Sequence, residues 1–148
     1  MCSVSKFGEY GACLYVSQVL HWYISAAEVP LSPPLVELVH AAVTSVHSLA
    51  AGCSPNRQKF GENGACSYVM LALRWFCKYG ADTYLTEALL DAVWQLGFGS
   101  TPNRQLLREC GVENELFTIS RNAHAQPNIR SRANSILTWI KLQLVEDL

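Results

Sequence analysis

The sequence predicts an all-α fold, an α-solenoid of three repeats with three helices each. Two observations carry this: the chain matches itself at two offsets, and each copy divides at the same glycines and prolines. Lys6-Phe7-Gly8-Glu9-Tyr10-Gly11-Ala12-Cys13 returns 53 positions on as Lys59-Phe60-Gly61-Glu62-Asn63-Gly64-Ala65-Cys66, and Tyr15-Val16 returns as Tyr68-Val69. Ser54-Pro55-Asn56-Arg57-Gln58 returns 47 positions on as Thr101-Pro102-Asn103-Arg104-Gln105, carrying Glu62 and Gly64 onto Glu109 and Gly111. Self-similarity at such periods is the mark of stacked units that bury their apolar faces against one another. The whole chain, 1–148, then reads as one domain with copies at 1–53, 54–100 and 101–148.

Within each copy the elements follow in order. Ser54 and Thr101 suit an N-cap, with proline at the first helical position, so a short helix 1 begins there. It ends at Gly11, Gly64 or Gly111, because glycine closes a helix in the left-handed region without a Cβ penalty. Helix 2 follows at once: Val69, Ala72, Leu73, Phe76 and Cys77 recur at helical spacing on one face. Helix 3 begins after Ser32-Pro33, Asp82-Thr83 and Gln126-Pro127. In the second copy Leu85, Ala88, Leu89, Ala92, Val93 and Leu96 line its apolar side, and Gly97 and Gly99 stop it. The first copy carries a six-residue expansion around 29–34, and no strand signal competes.

Composition bounds the function. Of 148 residues, 50% are apolar and only 16% charged, with a formal net charge of −1, which argues against disorder and against nucleic acid as a partner. The charges are uneven, since residues 1–56 hold only Lys6, Glu9, Glu28 and Glu37. The uncharged stretches Tyr10–Ala27 and Leu38–Asn56 contain Ser17, Gln18, His21, Thr44, Ser45, His47 and Ser48, too polar for a lipid-facing span, so no membrane association is expected. Ala12–Ile24 followed by Ser25-Ala26-Ala27 imitates a signal peptide, but residues 6–24 have an internal copy. Six cysteines with no N-x-[ST] sequon read as reduced thiols of an intracellular, cytoplasmic protein, the nucleus also being open.

The apparent chemical motifs have structural readings. Gly8-x-x-Gly11 and Gly61-x-x-Gly64 lack a preceding strand and a GK[ST] and read as helix ends. Cys13 and Cys66 share one repeat position, that of a small core residue, and no C-x-x-C or His pair suggests a metal. His40 and His47 stand two turns apart on a helix, which favours packing or groove lining. Glu9, Glu62 and Glu109 repeat along the array and do not converge as a catalytic pair would. Arg104, Arg108, Arg121, Arg130 and Arg132, offset by Glu109, Glu113, Glu115, Glu146 and Asp147, read as a mixed solvated end face. Trp22 and Trp75 are repeat mates expected in the core; Trp94 and Trp139 read equally as groove lining or core. No nucleophile, base and oxyanion donor group together, so neither an enzyme nor a cofactor is expected.

A short helix, a Gly-Ala start to a longer one and an Ala/Leu-rich third, recurring every 47 or so residues, resembles the armadillo repeat family over essentially the whole chain. The most specific parts are Gly61-Glu62-Asn63-Gly64-Ala65-Cys66 and Arg108-Glu109-Cys110-Gly111-Val112, with helix 3 agreeing through Ala92-Val93-Trp94-Gln95-Leu96 and Ile136-Leu137-Thr138-Trp139-Ile140. A HEAT array is the close alternative, with two helices per repeat. The resemblance implies a right-handed solenoid whose third helices line a concave groove for an extended peptide. Importin-type members grip that peptide with Trp and Asn ladders on helix 3. Here the ladder positions are Asp91 and Gln95, Thr44 and Ser48, Ser135 and Trp139, so neither ladder is present and the groove chemistry differs. The reading is a non-enzymatic module binding a peptide or protein partner through Thr44, His47, Ser48, Asp91, Trp94, Gln95, Ser135 and Trp139. The alternative is a structural self-association unit, a homo-oligomer or part of a longer array, stacking through its nearly uncharged first copy.

Overall fold

Helix formation follows the glycines and prolines closely. The computed structural model describes residues 4–26, 32–79 and 83–147, and among these it holds nine α-helices packed together and no strand: α1 (Ser5–Glu9), α2 (Ala12–Ala26), α3 (Pro33–Ala50), α4 (Ser54–Glu62), α5 (Ala65–Tyr79), α6 (Thr83–Gly97), α7 (Thr101–Glu109), α8 (Val112–Arg121) and α9 (Pro127–Glu146). Gly11, Gly64 and Gly111 adopt φ of +85°, +80° and +81°, and so reverse the chain between α1 and α2, α4 and α5, and α7 and α8. Pro33 and Pro127 open α3 and α9 as first helical residues, where a missing N–H costs nothing. Gly97 is the last residue of α6, and Gly99 turns away at φ +65°. The core of the expansion expected around 29–34, Val29-Pro30-Leu31, lies outside the described residues.

The caps of α4 and α7 lie one residue earlier than the sequence pattern suggests, at Cys53 and Ser100. The reason is visible at α7. The Ser100 hydroxyl accepts from the Asn103 backbone N–H, while Thr101 Oγ1 accepts from Arg104 Nη2 at 2.9 Å and so is engaged elsewhere.

Helices of the same rank touch one another: α1 packs on α4 and α4 on α7, α2 on α5 and α5 on α8, α3 on α6 and α6 on α9. One apolar core runs through the assembly, from Cys13, Leu20 and Val43 through Phe60, Leu73 and Leu89 to Leu107, Leu116 and Ile140, each 0–1% exposed. Burying each leucine of this set stabilises the fold by roughly 1.5–3 kcal/mol relative to an exposed one. No helix of the described residues is long and apolar enough to cross a membrane.

Two asparagines tie helices that are distant in sequence. Asn56 Nδ2 donates to Val4 O at 3.1 Å and Leu49 O at 2.9 Å; Asn103 Nδ2 donates to Arg57 O at 2.8 Å and Leu96 O at 2.9 Å. Both side chains are buried, and each satisfies an orphan carbonyl near the end of one helix while adding a second bond to a carbonyl at the start of another. The close approach requires a glycine opposite. A Cβ on Gly8 would stand 2.0 Å from Asn56 Oδ1, and a Cβ on Gly61 would stand 2.0 Å from Asn103 Oδ1.

Two expectations are corrected. Trp22 is 68% exposed, whereas its mate Trp75 packs against the core. α5 has neighbours on both sides, α2 and α8, whereas the main neighbours of α2 among the described residues are α1, α3, α4 and α5. Arg104 is likewise not on a solvated face. Its guanidinium is buried, donating to Gly97 O at 3.0 Å and to both Asp147 oxygens, at 2.7 and 3.1 Å. Arg108 joins the clamp, donating to Ile140 O at 3.1 Å and pairing with Asp147 at 3.4 Å.

Hydrogen bonds from Arg104, opposed by burial, move the Asp147 carboxyl from 3.8 down to about 2. A depressed carboxyl pKa stabilises the fold wherever the unfolded chain is ionised. The contribution is complete above about pH 4 and disappears as pH falls through about 2. Asp147→Asn should therefore melt earlier than the native chain at neutral pH, with the gap closing near pH 2, as thermal melts across that range would show.

Candidate functional site on the third-helix face

The eight residues singled out from the sequence lie on three helices in contact, α3, α6 and α9. On α6 the residues that keep some exposure include Tyr84, Glu87, Ala88, Asp91, Trp94 and Gln95, a stripe at three- and four-residue spacing. Thr44, Ser48 and Ser135 are exposed; His47, Asp91, Trp94, Gln95 and Trp139 are half-buried.

The structure brings two of them into direct contact. The Trp94 and Trp139 rings lie 4.4 Å apart at 47°, spanning α6 and α9. Phe98, just past the end of α6, stacks on both, at 5.7 Å from Trp94 and 6.4 Å from Trp139. The Arg57 guanidinium sits 5.5 Å from the Phe98 ring centre, within cation–π range. Both tryptophans also pack against the core, so each is part wall and part lining. Asp91 is tied to α9 separately, through Arg132, which bonds Asp91 and lies 3.7 Å from Glu87. This pairing removes Asp91 from the role of a lone anion.

The remaining expected residues are not drawn in. Ser135 Oγ donates to Ser131 O on its own helix at 3.0 Å. No ring contact or hydrogen bond among the described residues links Thr44, His47 or Ser48 to the aromatic cluster. Conversely, Phe98, Arg57 and Arg132 belong to the site and were not singled out. Phe98 carried a signal, a large aromatic between two helix-ending glycines, but it reads as part of a turn. Arg132 meets its acids 41 and 45 positions away in sequence, a distance that no local spacing reveals.

Among the described cysteines, Cys13 and Cys66 are held as buried thiols. None of those described is in a disulfide, and burial pushes the Cys13 thiol up to about 11 and the Cys66 thiol to about 12, so both remain protonated at neutral pH. Among the described residues no three His, Cys, Asp or Glu side chains gather as metal ligands. No family model, no curated protein and no solved structure matches the chain.

Proposed function

We propose that this chain is a three-unit α-solenoid of the armadillo type that acts by binding, not catalysis, and holds a peptide or protein segment on its third-helix face. Like-ranked helix packing and the two equivalent asparagine locks support the architecture. One observation carries the functional reading: the Trp94–Trp139–Phe98 cluster bridges α6 and α9 while leaving Phe98 47% exposed. Aromatic side chains held rigid by a core and open on one side are the usual anchors of recognition, since they bind with little entropy left to lose. The half-buried Gln95 amide beside them has both a donor and acceptors to offer a peptide backbone. The segment that fits places an apolar side chain on the cluster and runs its backbone past Gln95.

The test is recovery of partners from the source cell by the native chain and by a Trp94→Ala/Gln95→Ala variant, with Phe98→Ser as a milder change at an exposed ring. Both should weaken capture by about thirtyfold or more, the loss expected on removing an anchor. Helical circular dichroism should remain intact. Undiminished capture by both variants would rule out this face.

A further inference from the structure

The end of the molecule formed by α1 and α2 is built from aromatic residues that stay exposed although their sequence mates are covered. Phe7 is 60% exposed and its mate Phe60 is 0% exposed; Tyr15 is 69% exposed, while its mate Tyr68 is half-buried with its ring 4.8 Å from His21 of the preceding unit. Tyr10, Leu14 and Trp22 extend the patch, and Phe7, Tyr10, Leu14, Tyr15 and Gln18 line a recess of about 510 Å³. Contiguous exposed apolar surface of this kind marks an interaction site. The mates show how such a face is covered: by helices of another unit.

The opposite end is a poorer cover than the same end of a second copy. Arg108 occupies the position of Gly8 and Gly61, and its guanidinium is fixed by Ile140 O and Asp147 where the next asparagine would enter. Glu113 and Ser120 stand where Cys66 and Leu73, both buried, stand in the second copy. That end is mixed, since Phe117 is 51% exposed where its mate Met70 is buried, and head-to-tail stacking would bury Arg108, Glu113 and Ser120 against the aromatic end. The aromatic end, by contrast, matches itself. Among the described residues of α1 and α2 its charged side chains are Lys6 and Glu9, of opposite sign, exposed and one turn apart on α1, so a two-fold axis can set each against the other across the seam. We infer that the α1–α2 end docks on the same end of a second copy, forming a closed two-fold dimer. The inference rests on the sequence self-match and the two end faces, not on the third-helix reading, and neither depends on the other.

Sedimentation equilibrium of the full chain over a wide concentration range tests it. The native chain should approach the mass of two chains and stop there. Tyr15→Asp and Phe7→Asp, both at exposed positions, should weaken the dimer by about a hundredfold or more and retain helical circular dichroism. Leu142→Asp, on the far end of α9, should leave it unchanged. A single-chain mass at every concentration would overturn the inference and leave a different protein as the cover. So would growth past two chains, dimers that survive both aspartates, or loss of the dimer in Leu142→Asp.

Discussion

Gly61→Ala is expected to destabilise the chain by about 2–3 kcal/mol, because the new methyl meets Asn103 Oδ1 at 2.0 Å and the asparagine must leave its two carbonyls or α4 must move. Asn103→Ala alone should cost about 2–3 kcal/mol, the loss of two buried bonds, one of which leaves the Leu96 carbonyl near the end of α6 unsatisfied. The two together carry the sharper expectation. With the asparagine gone the methyl has room, and Gly61 lies inside a helix, where alanine is favoured over glycine by roughly 0.5–1 kcal/mol. Gly61→Ala should therefore change sign, becoming neutral or mildly stabilising in the Asn103→Ala background. Denaturant unfolding of the four proteins of this cycle measures it, and additive costs would show that the lock does not work as the geometry implies. The pair Gly8 and Asn56 should behave in the same way.

Phe60→Ala should cost about 3–5 kcal/mol, as expected for emptying a fully enclosed aromatic site, whereas Phe7→Ala should cost less than about 1 kcal/mol in the monomer. The two residues hold one position in the sequence repeat, so propensity and local sequence are nearly matched and environment alone separates them. Urea midpoints at low protein concentration give the comparison. A large loss at Phe7 would mean that the α1 end is covered within the chain itself, contrary to its 60% exposure.

Local chemistry made most of the helical fold legible. Gly11, Gly64 and Gly111 close their helices, and Pro33 and Pro127 open theirs, because these effects act within one turn of chain. What escaped was tertiary. Trp22 and Trp75 occupy one register position, yet only Trp75 is flanked by α2 and α8 together. Arg104 reads as a surface charge until Asp147, 43 positions on, is seen to fold back over it. At the candidate site, helical spacing placed Asp91, Trp94 and Gln95 on one stripe. The partners that give the stripe its character, Phe98 and Arg132, come from a turn and from another helix.

The four tryptophans divide the molecule optically. Trp22, 68% exposed on α2, should emit as a water-facing indole, whereas Trp94 and Trp139, with rings 4.4 Å apart, are close enough for their excited states to mix and give a paired band in near-ultraviolet circular dichroism. A ligand on the third-helix face would perturb that band, and contact at the α1–α2 end would shift the emission of Trp22 to shorter wavelength. The unlabelled chain thus carries one native reporter at each of the two surfaces proposed for it, and a single titration can tell which has been occupied.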